Sequence, residues 1–459
     1  MIGFMLLVFW TLIMWGSFLA NWDVFSPAKM YLICVLLFFA DIFVTPYDGA
    51  VTLTYAALLF LGLVLSIQES LLVRQVHFPP VNRSPASAVT HPPVAPHSRI
   101  DRGRLVPAKP APAVRVGGHG LTARHLWLMA VLLWVLSVIP VVSQLYLVTL
   151  MGGFENYVNT LGNRVIEQRG LGILIMAIRT LPTINIVYFS VGLLSRKAGA
   201  AWWGLFLIHM LVLVVFGLAT GSRGALLNSF AIMTISFNYI RHKVSPMTAI
   251  IVVAGIMAAA GVLGIARNGY KMGAYGIETG LSKSDVQFEN THFKYGLIPL
   301  ELIFSRPPED LRLGMTFATV FTNLVPRTLW PDKPDTGGVI LTKEYTGDAW
   351  DGASNLSTGL IAESVINFGW GLGVPIGFVL LWLTMSYVLS SYVRLLRSRK
   401  DLREIPFVRL VLIHVIVMST ATSLLCGEFT STMVTAVVGR LFPLVCIVWM
   451  IARVRGREC

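Results

Sequence analysis

Apolar runs long enough to cross a bilayer recur along nearly the whole of this chain, and no other feature limits its fold as strongly. A helix rises 1.5 Å per residue, so a hydrocarbon core of about 30 Å takes roughly 20 apolar residues per crossing. About eleven segments meet that measure. They lie at approximately 3–20, 28–45, 50–70, 126–150, 171–194, 201–219, 225–240, 246–266, 368–392, 407–425 and 432–451. Inside the hydrocarbon a backbone must satisfy its own hydrogen bonds, which single segments do only as helices. The sequence therefore predicts an all-α, polytopic integral membrane protein. Only 13% of the 459 residues are charged, half the share of a soluble domain, so length here counts spans. The first run lacks a basic n-region and a small-residue cleavage site, and it reads as a span rather than a signal peptide.

The net charge of +13 would suit a nucleic-acid binder, but the basic residues collect in the gaps between spans, where they set orientation. With 73–124 cytoplasmic, the gaps 21–29, 195–200, 241–245, 393–406 and 452–459 fall on the same side, and they carry most of the Lys and Arg. In 267–355, on the opposite side, nine Lys/Arg face eleven Asp/Glu. This parity puts the N-terminus outside, the C-terminus inside and the long polar segment outside the cytoplasm.

Five regions follow. Residues 1–72 form a three-span unit, 73–124 a basic Pro-rich cytoplasmic linker, 125–266 a five-span core, 267–367 a large extracytoplasmic loop, and 368–459 a second three-span unit. The linker, with Pro79-Pro80 and Pro92-Pro93, lacks apolar periodicity and reads as disordered. Within the loop, 284–304 and 315–329 carry helical apolar spacing, ended by Pro307-Pro308 and interrupted by Pro326.

A charge at bilayer depth costs roughly 2.5–3.5 kcal/mol, so those present face a cavity or a partner. Arg179 lies eight residues into its span, about 12 Å deep, and Arg440 lies similarly deep in the last one. Arg223 and Arg267 sit at span mouths, and Arg164 and Arg169 in an adjoining loop. Guanidinium groups grip phosphate through paired donors, so such a ring suits a lipid-linked phosphate or pyrophosphate. Structural pairing of Arg179 and Arg440 with Asp41, Glu363 or Glu428 is the alternative. Glu363 stands just before a span in apolar surroundings and is the best-placed carboxylate for acid–base work; Ser357 and Thr358 before it suit a helix cap. His209 and His414 read as hydrogen-bonded core residues, and Trp202-Trp203 as an interfacial pair. No Walker loop, dinucleotide fingerprint, zinc-protease helix or nucleophile elbow is present. The four cysteines form neither a metal-ligand pattern nor a disulfide framework.

Three stretches carry a resemblance. They are Thr220-Gly-Ser-Arg-Gly-Ala-Leu-Leu227, Leu324-Val-Pro-Arg-Thr-Leu-Trp-Pro-Asp-Lys-Pro334, and Ser357-Thr-Gly-Leu-Ile-Ala-Glu363 with Asn367-Phe-Gly-Trp-Gly371. In order, spacing and sidedness, residues 125–450 resemble the bacterial oligosaccharide repeat-unit polymerases, the O-antigen polymerase (Wzy) family. The resemblance implies transfer of a growing glycan from undecaprenyl pyrophosphate onto a new lipid-linked unit at the outer face of the cytoplasmic membrane. It implies no cofactor, no metal and no nucleic acid; membrane lipid, a flippase and a chain-length regulator are the partners it suggests. Arg223 and Arg327 carry over most directly, then Glu363. Joined with the charge pattern, this gives Glu363 and Arg327 as catalytic candidates and Arg223, Arg267, Arg179, Arg440 and Lys333 as pyrophosphate- or substrate-binding candidates. A glycan ligase of the same architecture and a polysaccharide transporter remain as rival readings.

Overall fold

The computed structural model describes residues 2–77, 122–160, 170–195, 197–219, 223–252, 254–255, 258, 270–273, 276–279, 294–306, 308–325, 329–345, 356–398 and 405–456. The described chain is almost wholly helical. The first half contains α1 (Ile2–Ala20), α2 (Pro27–Phe39), α3 (Gly49–His77), α4 (Ala123–Leu150), α5 (Phe154–Thr160), α6 (Gly172–Ile178), α7 (Leu181–Leu194), α8 (Ala200–Ala219) and α9 (Arg223–Ile240). The second half begins with an antiparallel hairpin, Tyr270–Gly273 with Gly276–Thr279. Then come α10 (Leu297–Ser305), α11 (Met315–Thr322), α12 (Gly337–Tyr345), α13 (Gly359–Ser398), α14 (Ile405–Ser423), α15 (Phe429–Ala436), a π-helical turn (Val437–Leu441) and α16 (Phe442–Gly456).

Among the described residues eight helical segments are long and apolar enough to cross a membrane: α1, α3, α4, α6 with α7, α8, α13, α14, and α15 through α16. Two further expected spans correspond to α2, of 13 residues, and α9, of 18. The expected span at 246–266 lies mostly outside the described residues, as does the linker beyond His77.

Helix α9 packs between α7 and α14, and α14 lies along α13, so these four helices form the centre. Small polar side chains hold them in register. His209 on α8 meets Ser137 of α4 at 2.7 Å and Asn185 of α7 at 3.0 Å. His414 of α14 meets Ser391 of α13 at 2.6 Å, while its Nε2 is buried with no hydrogen-bond partner in the described structure. Trp202, near the start of α8, is buried, its ring 4.6 Å from Tyr188 in an edge-on contact. A large ring at this position fills the gap between α7 and α8.

The N-terminal three helices join this centre through a buried polar knot. The loop between α1 and α2 carries Asp23, whose carboxylate accepts from Tyr392 of α13 (2.9 Å) and Asn238 of α9 (3.2 Å). Glu69 of α3 accepts from Asn21 (2.8 Å) and from the Ala28 amide at the start of α2 (3.0 Å). Lys29 lies 3.9 Å from Glu69 and donates to Ser26. All of these charges are shielded from solvent, so removing one partner strands the others. Asp23→Ala is expected to destabilise the protein by roughly 3–5 kcal/mol, read as a lowered unfolding midpoint in detergent. An unchanged midpoint would show that the knot does not hold the two units together.

The long polar segment folds back onto the α13–α15 end of the bundle. Its helices are shorter than the periodicity suggests: α10 covers only the end of 284–304, whose first part lies outside the described residues, and α11 stops at Thr322, before Pro326. Helix α12 was not expected. Helix α13 starts nine residues earlier than the predicted span and contains a break at Gly369 (φ 71°, ψ 178°), a backbone conformation that favours glycine. That break makes Gly359–Phe368 a short helix of its own, buried under the polar segment rather than passing straight through the bilayer.

Candidate functional site

Two polar centres lie along one element, the run from α15 through the π-turn into α16. The first is at its N-terminus. The first turn of a helix leaves backbone amides without intrahelical partners, and here carboxylates from other elements accept from them. Glu363, on the buried half of α13, is 0% exposed. Its Oε2 accepts from the Phe429 amide that opens α15 (2.8 Å) and from the Thr358 hydroxyl (3.0 Å). Glu428 reaches the other way, its Oε1 accepting from the Gly338 amide at the start of α12 (3.0 Å). The two carboxylates thereby cross-link α12, α13 and α15. Ser357 accepts from the Glu428 amide at 3.1 Å, so Ser357 and Thr358 tie elements together rather than cap α13.

Capping explains one oxygen of Glu363. The other, Oε1, is buried with no hydrogen-bond partner in the described structure. It faces α12 at Gly337, where an added Cβ would lie 2.9 Å from it and 2.8 Å from the Glu363 Cδ. Only glycine permits that approach. A hydroxyl cluster borders the pair: Thr319 meets Thr430 at 2.6 Å, Thr430 donates to the Thr316 carbonyl at 3.0 Å, and Asn367 donates to the Thr316 hydroxyl at 2.6 Å. A carboxylate with an unengaged oxygen beside hydroxyls can accept a proton or orient a further hydroxyl.

The second centre lies further along the same element. Arg179 occupies a break in the helix expected over 171–194, between α6 and α7, and donates to Thr435 of α15 at 2.8 Å. Arg440 lies in the π-turn, a local widening that is frequent at functional sites. Asn228 of α9, oriented so that both ends of its amide are satisfied, accepts from Arg440 Nη1 (3.0 Å) and Nη2 (2.6 Å) and donates to Ser419 of α14 (2.8 Å). Thr183 donates to the Gly439 carbonyl at 3.2 Å. The Arg179 and Arg440 charges are near enough to repel one another. Among the described residues no carboxylate lies within ion-pair distance of Arg440. Asp41, considered for that role, instead meets Lys294 (3.5 Å) and Tyr47 (2.7 Å), while Glu363 and Glu428 accept from the helix ends already described. Two guanidinium groups some 260 positions apart in sequence, Arg179 exposed and Arg440 half-buried, are therefore held on one helical run. An anion neutralises that arrangement best.

The two centres share one axis. Thr435 follows Phe429 by six residues, which places the Arg179 contact about 9 Å along the helix from the amide that Glu363 caps.

The other expected residues are placed as follows. Arg223 is the first residue of α9, five positions before Asn228; its side chain lies outside the description. Arg267 and Arg327 lie outside the described residues. Lys333 donates to the Val325 carbonyl at 2.9 Å, a contact within the polar segment. Four contributors carry no signal in the sequence. Asn228, Ser419 and Thr435 are single polar residues on apolar helices, and Gly337 lacks the side chain a pattern would register. Among the described residues no group of three His, Cys, Asp or Glu side chains is placed to hold a metal ion. Compared with protein-family models, curated proteins and solved structures, the chain matches none.

Proposed function

We propose that this protein is a membrane glycosyltransferase that extends a lipid-linked oligosaccharide. The Arg179–Arg440 pair holds the pyrophosphate of a polyprenyl donor, and Glu363 orients or deprotonates the acceptor hydroxyl. The observation that carries the proposal is the approach of two like charges, the exposed Arg179 and the half-buried Arg440, on the same helical run whose N-terminus the buried Glu363 caps. A pyrophosphate offers the planar guanidinium forks paired oxygen acceptors. As the sugar C–O bond breaks, its electron pair stays on the departing diphosphate, which gains one negative charge that the guanidinium groups stabilise. The rise of about 9 Å along α15 from the Phe429 amide to Thr435 is of the order of a sugar residue between leaving group and acceptor. The resemblance to repeat-unit polymerases gives the direction of transfer: a growing chain passes from undecaprenyl pyrophosphate to the terminal sugar of a new unit, with Arg223, Arg267, Arg327 and Lys333 closing on the donor from the mouth of the site. In this reading the protein sits in the cytoplasmic membrane of a bacterium with about eleven spans, its polar segment outside and its C-terminus inside.

The test uses purified protein in liposomes with lipid-linked oligosaccharide and no nucleotide. Products longer than one repeat unit support polymerisation. Transfer only to a different acceptor identifies a ligase, and passage across the bilayer without a new glycosidic bond identifies a transporter. Either of the latter results overturns the polymerase assignment.

A further inference from the structure

In the stretch 311–324 the two buried polar residues are threonines that face inward, and most of the large apolar residues face outward. On α11, Thr316 and Thr319 are buried against Asn367 and Thr430. The opposite side presents Met315 (51% exposed), Ala318 and Phe321 (79%). Leu311, Leu313 and Leu324 beside it are also exposed, and Leu329 and Trp330 repeat the pattern further on. A helix on a water-facing surface has the reverse arrangement. Apolar surface of this extent has a partner, and here the partner's chemistry follows from where the stretch is fastened.

Its backbone is fixed to α13 at the break. The Arg312 amide donates to the Ile366 carbonyl (3.2 Å) and the Leu313 amide to the Asn367 carbonyl (2.9 Å). The Gly314 amide donates to the Asn367 side chain at 3.0 Å. A Cβ at Gly369 would sit 3.4 Å from Leu311. Three residues past that break α13 becomes a membrane-spanning helix with an outward apolar stripe that begins at Leu372 (66% exposed) and continues through Val379 and Leu383. The exposed face of 311–324 therefore continues the lipid-facing surface of α13. Arg312 turns away from that face and pairs with Glu344 of α12, and Trp330, half-exposed, is the residue type that collects at a bilayer surface.

We propose that Leu311–Leu324 is seated in the bilayer as an interfacial element, with its apolar side among lipid acyl chains and its threonine side roofing the Glu363 centre. Lateral access to that centre from the lipid phase then runs beneath α11. The inference rests on exposure and attachment and stands whether or not the transferase reading does.

Spin labels test it. Single-cysteine variants A318C and F321C, in a background lacking the native cysteines, are reconstituted into phosphatidylcholine liposomes. Collision with oxygen and with a water-soluble nickel complex is then measured by power saturation. L372C serves as the lipid-facing reference and E309C as the water-facing one; Glu309 is 75% exposed. Oxygen collisions exceeding nickel collisions at both test sites, as at L372C, are expected. A nickel excess as at E309C would place the face in water. Low collision with both reagents would mean that protein covers it, from this chain or a second copy. Either result overturns the proposal. A second arm uses the unaltered protein, photolabelled by a diazirine carried on a phospholipid acyl chain. Label in the peptide spanning 315–324 is expected; its absence while α1 is labelled counts against lipid contact.

Discussion

Arg440→Ala is expected to abolish long-chain product while the protein still inserts and accumulates, and short single-unit glycan should build up in its place. The expected loss in turnover is on the order of 10²–10³-fold, the effect of removing one donor aimed at a charge that develops in the transition state. Arg179→Ala should behave alike, because the two charges are near enough to act on one another and on the same anion. Arg440→Lys should recover part of the activity: it keeps the charge but loses the planar fork that grips Asn228 and a phosphate together. The alternative, that Arg440 merely fastens α9 to the last span, makes a different prediction about stability. A fastening arginine, when removed, deprives the Asn228 amide oxygen of its donors and lowers the unfolding midpoint. An arginine held for an anion beside a like charge relieves repulsion on removal, so the midpoint should stay level or rise. Normal chain length in both alanine variants would discard the pyrophosphate site.

The residues named above separate what a pattern can carry from what only folding decides. Helical spans were legible because each must hide its backbone alone, so the signal is local and repeated. Arg179 and Arg440 were legible as candidates because charge in an apolar run is costly. The residues that hold them, Thr435 and Asn228, were not legible, since nothing in either run encodes these partners. Glu363 stood out by its apolar neighbours, but its role as a cross-link to α15 depends on Phe429, whose backbone amide has no sequence signature. The break in α13 at Gly369 was hidden for a related reason. Asn367-Phe-Gly-Trp370 reads as the entry to a span, and only the docking of 311–314 onto the Ile366 and Asn367 carbonyls shows why the helix must be interrupted there. The packing of Trp202 was not legible because the same ring suits lipid or a helix gap, and Tyr188 decides between them.

Glu363→Gln should retain the fold and lose at least about 10²-fold in turnover, the contribution expected of a positioned acid–base group. The amide keeps the volume and one acceptor oxygen, so the Phe429 amide remains satisfied and α15 stays anchored. What it removes is the capacity of the second oxygen to take a proton. If the carboxylate serves only as a cap, the glutamine variant keeps full activity, and that outcome would remove Glu363 from the mechanism. Glu363→Ala is less discriminating, because it also strands a buried amide and hydroxyl at roughly 1–3 kcal/mol each. Gly337→Ala supplies the independent check. Its methyl would enter within 2.8 Å of the Glu363 Cδ, so the carboxylate or α12 must move. Because the chemical group is untouched, loss of turnover with an unfolding midpoint close to the parent's would show that the placement of the free oxygen, and not its mere presence, sustains transfer. Retained turnover in Gly337→Ala together with lost turnover in Glu363→Gln would instead place the reacting hydroxyl on the threonine side of the carboxylate, away from α12.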